Sequence, residues 1–138
     1  MERDVMIKSL KQNVIPVLRE QGFKGSFPHL YRKLENKTDL IMFQFSNWGG
    51  VLYVEISLCP SEGIIDSITG KHIPVNKVKV YQVVGGNTDS FSRIRIGKDT
   101  NGTFEFNSHN SDEVSYKILP SLEEAEKWWG TYPIWWNN

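Results

Sequence analysis

Residues Gln44-Phe45-Ser46-Asn47-Trp48-Gly49-Gly50 stand between two strongly apolar runs, Leu40 to Phe45 and Val51 to Leu58. Both runs are rich in β-branched and aromatic side chains, and Asn with paired Gly supplies turn chemistry, so the stretch reads as an antiparallel hairpin. Closing the turn over Asn47 to Gly50 sets Phe45 against Leu52, Phe43 against Val54 and Ile41 against Ile56, because side chains alternate with period two. One face is then wholly apolar. The other pairs Ser46 with Val51, Gln44 with Tyr53, Met42 with Glu55 and Leu40 with Ser57, a mixed polar and aromatic surface. A bulge at Gly49 or Gly50 would slide one strand by a residue and undo this division.

The elements around this hairpin follow from their spacing. From Glu2 to Gln21, Met6, Ile7, Leu10, Val14, Val17 and Leu18 mark one helical face, with Gly22 as a stop. Pro16 inside this run predicts a kink near Gln12 to Pro16 or two short helices. His29 to Leu34 reads as a strand that turns through Glu35 to Thr38 into the central hairpin. Symmetric pairing then places His29 opposite Gln44, Tyr31 opposite Met42, and Arg32 opposite Ile41 on the apolar face, an uncomfortable position for a charge.

Ser61 to Asn76 is punctuated by Gly63, Gly70 and Pro74 and reads as a long loop with short apolar pieces. Further strands are expected at Lys77 to Val84, Phe91 to Ile96 and Thr103 to Asn107, with turns at Gly85 to Asp89 and Asp99 to Gly102. Asn107 to Asp112 is polar and expected to be exposed. Val114 to Leu119 reads as a last strand or an extended connection. Ser121 with Glu124 makes a capping-box pattern, so a final helix is predicted to open at Pro120-Ser121, run to about Trp129 and stop at Gly130. The tail from Thr131, with Trp135 and Trp136, is too aromatic to be left in water.

Size and charge restrict the function classes. With 138 residues the chain fits one domain, and Lys plus Arg at 16 balance Asp plus Glu at 16. A net charge of zero gives no global pull towards nucleic acid or an acidic membrane. Cys59 is the single cysteine, which rules out an internal disulfide or a multi-cysteine metal site and fits the reducing cytoplasm. Met1 to Asp4 carries charges of both signs, unlike a signal peptide, and no run reaches the roughly 18 apolar residues that span a bilayer.

The helix ending in Gly22-Phe23-Lys24, the Tyr31-Arg32 strand, Gln44-x-Ser46-x-Trp48-Gly49-Gly50 and the later Arg95-Ile96-Gly97 together resemble a mainly bacterial family known only as a domain of unknown function, number four-three-zero-four. The resemblance covers the first two thirds of the chain and weakens after Gly97, where Thr103 to Phe106 replaces an expected Trp-rich strand. It implies a small α+β plan and carries no catalytic residue or ligand. Some small bacterial domains of this kind are immunity proteins that neutralise a toxin, an analogy at the level of fold.

Chemical constellations are sparse. His29, His72 and His109 have no metal-ligand spacing, and His109-Asn110-Ser111-Asp112 reads as a solvated turn rather than a catalytic set. Gly85-Gly86-Asn87-Thr88 lacks the lysine and following helix of a phosphate loop. Cys59 reads as an inert buried thiol. Glu55 is placed to meet Arg93 or Arg95 across the sheet, either as a structural ion pair or within a recognition surface of Tyr31, Gln44, Tyr53, Glu55 and an arginine. Phe91, Arg93, Arg95 and Lys98 make a weak basic aromatic patch, which neutral overall charge and an acidic final helix argue against as a nucleic-acid site. The doublets Trp128-Trp129 and Trp135-Trp136 read as anchors for a partner or as a cap on the domain's own core.

These readings converge on one α+β domain: an antiparallel sheet of about five or six strands with an N-terminal and a C-terminal helix packed on one face. Leu10, Val14, Leu18, Phe43, Phe45, Leu52, Val54 and Ile56 are the expected core. The expected function is non-catalytic protein binding without a cofactor or metal, with a toxin as one class of partner. The binding candidates are Tyr31, Gln44, Trp48, Tyr53, Glu55, Arg93 and Arg95. The alternative is a small-molecule-binding domain or enzyme using the sheet face around Gln44, Tyr53 and Glu55.

Overall fold

A computed structural model describes residues 2–66, 68–83 and 92–136. The amphipathic start forms two helices, α1 (Glu2–Asn13) and α2 (Ile15–Glu20), which break at Val14 with Pro16 in the first turn of α2. There the missing N–H is one that no helix start uses, so Pro16 costs nothing. Strands β1 (His29–Lys33), β2 (Thr38–Phe45) and β3 (Val51–Cys59) follow. A two-stranded ribbon, β4 (Ile64–Ile65) with β5 (His72–Ile73), comes next, and then β6 (Arg93–Arg95), β7 (Phe104–Glu105) and α3 (Ser111–Thr131).

The main sheet has five antiparallel strands in the order β1-β2-β3-β6, with β7 also paired to β3. The central hairpin has the expected register from Leu40 opposite Ser57 to Phe45 opposite Leu52, and Ser46 N–H donates to Val51 O at 2.9 Å. No bulge interrupts it. Gly49 and Gly50 take φ of +83° and +71°, a backbone region that side-chain-bearing residues rarely enter, and so close the turn.

All eight expected core residues pack as foreseen, seven buried and Phe45 partly so. Met6, Leu10, Val14 and Leu18 of the N-terminal helices and Val114, Ile118, Leu122, Ala125 and Trp129 of α3 lie over Leu30, Ile41, Phe43, Leu52, Val54, Ile56 and Leu58. Burial of each large side chain contributes about 1.5–3 kcal/mol. Between α1 and α3, Ser9 Oγ donates to Asp112 Oδ1 at 2.6 Å and stands 2.7 Å from Ser115 Oγ, which satisfies buried polar groups at the helix contact.

The other sheet face is covered by the chain between β3 and β6. Val78, Val80 and Val83, with Ile64 and Ile73, pack on Leu40, Met42, Cys59 and Tyr31. This segment, called the strap below, is where the sequence misleads. Lys77 to Val83 forms 3-10 turns at Val75–Lys77 and Val80–Gln82 rather than a strand, while part of the expected loop is the β4/β5 ribbon. Its Lys-Val-Lys-Val alternation buries the valines without a strand partner. Val84, the Gly85 to Asp89 turn and Phe91 lie outside the described residues.

Two further corrections have clear causes. The first hairpin closes tightly, with Leu34 N–H donating to Lys37 O at 2.7 Å, which shifts its register by two residues. His29 lies opposite Met42, Tyr31 opposite Leu40, and Arg32 opposite Asp39 rather than Ile41. The charge therefore meets a fully buried carboxylate, with Arg32 Nη2 2.7 Å from Asp39 Oδ2 and 2.6 Å from Glu126 Oε1. The second correction is at α3, which starts at Ser111 and runs through Pro120, so Val114 to Leu119 is helical. Val114, Ile118, Leu122, Ala125 and Trp129 keep one buried stripe, and the exposed Pro120 ring sits on the opposite side. Glu124 caps another segment instead, accepting the Gly97 and Lys98 backbone N–H groups at 3.3 and 3.2 Å.

Candidate functional site

The mixed face divides into an open half and a half under the strap. In the open half the cross-strand rule brings Glu55 directly opposite Arg95 and Ser57 opposite Arg93. Arg95 Nε lies 3.3 Å from Glu55 Oε2, and the Arg95 guanidinium stacks on Tyr53 with Cζ 3.8 Å from the ring centre. Gln44, exposed, is opposite Tyr53. Tyr53, Glu55, Arg95 and Gln44 are thus one contiguous strip, and Glu55 is the ion-pair partner that the alternation of the strands foresees.

Tyr31 does not join that strip. It lies opposite Leu40, packs against the residues beneath the strap, and is two strands away from Glu55. Arg93 is exposed and adjoins the strip from the row of Ser57. Trp48 occupies the tip of the hairpin beyond Gln44 and is 96% exposed. The turn beneath it is tied by Ser46, whose Oγ accepts the Trp48 N–H at 3.1 Å and whose carbonyl accepts the Gly49 N–H at 3.2 Å. Behind the tip a shallow cleft of about 370 Å3 is lined by Glu2, Arg3, Phe45, Ser46, Gly49, Gly50 and Phe106.

The Trp doublets divide. Trp129 is buried and donates its Nε1–H to Ser57 O at 2.9 Å. Trp128 stacks on Tyr132, Tyr132 meets Trp135 edge to face and Trp135 meets Trp136 in the same way, so the tail folds back on the domain. Trp48 alone among the described tryptophans is fully open to solvent.

Sequence reasoning missed a larger cleft of about 630 Å3 at the β1 edge. His29 and Tyr31 line one wall, and Asn76, Lys77, Lys79 and Gln82 of the strap line the other. Burial, helped by the nearby Lys79 charge, lowers the His29 pKa below its ordinary value. The signal for this wall was present as the Lys77-Val78-Lys79-Val80 alternation, which sends valines inward and lysines outward.

A second set of charged groups braces the fold. The Arg32 guanidinium lies over Phe23 and Trp129, its centre 4.6 and 5.3 Å from the rings. Burial on its own would lower the Arg32 pKa, but hydrogen bonds and charges from Glu126 and Asp39 outweigh it and raise the value. Lys37 Nζ reaches Asp39 Oδ1 at 2.9 Å and also donates to Trp129 O, which fastens the end of α3 to the first hairpin. Cys59 is buried, and this pushes its thiol up to about 12, with the Asp39 charge adding to the effect. Such a thiol is a poor nucleophile at neutral pH.

Among the described residues no group of three or more His, Cys, Asp and Glu side chains is placed to hold a metal ion. None of their helices is long and apolar enough to cross a membrane. No curated protein and no solved structure matches the chain. A family model described as Domain of unknown function (DUF4304) matches residues 14–132, which takes in α2, the whole sheet and α3 and continues well past Gly97. The chain therefore belongs to the DUF4304 family.

Proposed function

We infer that this domain is a non-catalytic protein-binding module whose contact surface is the tip of the central hairpin and the open strip behind it. The observation that carries the reading is the 96% exposure of Trp48. An indole held in water on a tight Gly-Gly turn forgoes the burial that the other described tryptophans obtain, and Trp is the side chain most enriched at the energetic centres of protein interfaces. Gln44, Tyr53 and the half-exposed Arg95 supply the polar and aromatic rim. Glu55 serves the surface indirectly, because its carboxylate holds Arg95 over Tyr53.

A toxin bound and neutralised in this way would make the domain an immunity protein, and this finer reading rests on analogy with small bacterial domains. A cytoplasmic home suits the buried, unpaired Cys59. The test is affinity capture by the tagged protein from a lysate of its own organism, with Trp48→Ala as the paired bait. The expected result is a stoichiometric protein partner whose affinity falls about 30-fold or more in the variant, the loss typical of a Trp hot spot. Capture that is equal with both baits, or a wild-type bait that returns only background, removes this reading.

A further inference from the structure

The cleft at the β1 edge has a chemistry that the hairpin tip does not share. Its lining includes two ammonium groups, Lys77 and Lys79, together with the His29 imidazole, the Gln82 and Asn76 amides, the Ser26 hydroxyl and the Tyr31 phenol. No carboxylate is among these lining residues. Lys77 and Lys79 make no ion pair among the described residues, although Lys79 is half-buried. Two ammonium groups on one concave wall with no carboxylate beside them give a positive local potential, which favours a small anion.

His29 points the same way. Its Nδ1 is sealed from water and has no hydrogen-bond partner, so Nε2 is the ring nitrogen left for the cleft. Burial and then the Lys79 charge lower the pKa of the ring, and a bound anion would oppose the second effect. Gln82 is already oriented, because its Oε1 accepts the Lys79 backbone N–H at 2.9 Å, which turns its amide N–H groups free of that bond. The wall is set by the buried valines Val78 and Val80, which anchor the strap and leave the intervening lysines outside. The volume of about 630 Å3 is that of a small-molecule site rather than of a single ion.

We propose that this cleft binds a small anionic ligand, bearing a phosphate or a carboxylate group, through Lys79, Lys77 and His29. The site shares no residue with the hairpin tip, so it stands or falls independently of the protein-binding reading.

The test is titration of the full chain with inorganic phosphate at constant ionic strength, read by NMR from the His29 ring nitrogens and the backbone amides of residues 76–82. The expected result is saturable movement confined to those signals. In Lys79→Gln, with its folded spectrum retained, the affinity should fall about tenfold, as for one lost charge-assisted hydrogen bond. Lys33→Gln should leave it unchanged, because Lys33 faces Glu62 at 3.8 Å and is not in the lining. Acetate in place of phosphate tells which anionic group the cleft takes, and saturation by either one supports the site. If Lys79→Gln loses its fold, Lys77→Gln at an exposed position repeats the measurement. A linear, unsaturated drift with both anions overturns the proposal. So does saturation that is unchanged when a cleft lysine is removed from a folded variant.

Discussion

The two faces of the sheet solve the same burial problem with different materials. On one, α1, α2 and α3 press regular stripes of Leu, Val, Ile and Trp129 onto the alternating apolar residues of β1, β2 and β3. On the other, an irregular strap lays three valines and two isoleucines over Leu40, Met42, Cys59 and Tyr31 and leaves Gln44, Arg93 and Arg95 exposed. Regular elements bring every side chain of a stripe to the core. A strap brings only those that its turns happen to point inward. The helix face therefore carries stability, whereas both the exposed strip and the β1-edge cleft belong to the face that the strap leaves incomplete.

The strongest way to break this contrast is to truncate one buried apolar side chain on each side. Leu52→Ala on the helix face should cost about 3–4 kcal/mol in urea unfolding, since Leu52 is fully buried in the core beneath the helices. Val80→Ala under the strap should cost about 1–2 kcal/mol, the worth of two methylene-sized groups with partial collapse of the site. Equal losses would mean that the strap is as integral to the cooperative core as α3.

A smaller and more local effect concerns Cys59, which the strap covers. Native Cys59 should react with a disulfide reagent at pH 8 about a hundredfold or more slower than in urea, because its thiol is pushed up to about 12. If the strap opens alone, Val80→Ala should speed labelling far more than its effect on global stability accounts for. The pH dependence has a definite sign. Between about 9 and 12 the unfolded chain has lost the thiol proton while the folded one keeps it. Stability therefore falls as pH rises through that window, by at most about 1.4 kcal/mol per unit from this group. Replacing Cys59 with Ala should remove that slope.

What the sequence discloses follows the same division. The register of the central hairpin and the helical stripe from Met6 to Leu18 could be read because each depends on one period and one turn. Arg32 lies two residues from its expected place because nothing local favours Asp39 over Ile41 opposite it, and Glu126, the second carboxylate on its guanidinium, comes from α3 at the other end of the chain. The start of α3 was misread because Pro120 with Ser121-x-x-Glu124 imitates an opening signal, while Val114 and Ile118 continue the stripe across it. At the candidate site, Glu55 and Arg95 were legible as a cross-strand pair. The cleft was not, because nothing local in His29 or in Lys77 to Gln82 announces that the strap will lie beside β1.

The smallest effect tests the strip itself. Glu55 is nearly buried and Arg95 about half exposed, so solvent screens their 3.3 Å contact from one side only. A double-mutant cycle of Glu55→Ala and Arg95→Ala should give a coupling of about 0.5–1 kcal/mol, reduced in 1 M salt. Tyr53→Ala should reduce that coupling further, since the guanidinium would lose the ring on which it rests. If Glu55→Ala also weakens partner capture while Arg95→Ala does so equally and the double variant no more, the pair presents one surface element. A Glu55→Ala protein that keeps its partner and loses only this fraction of stability makes the pair a brace for the sheet and leaves recognition to Trp48.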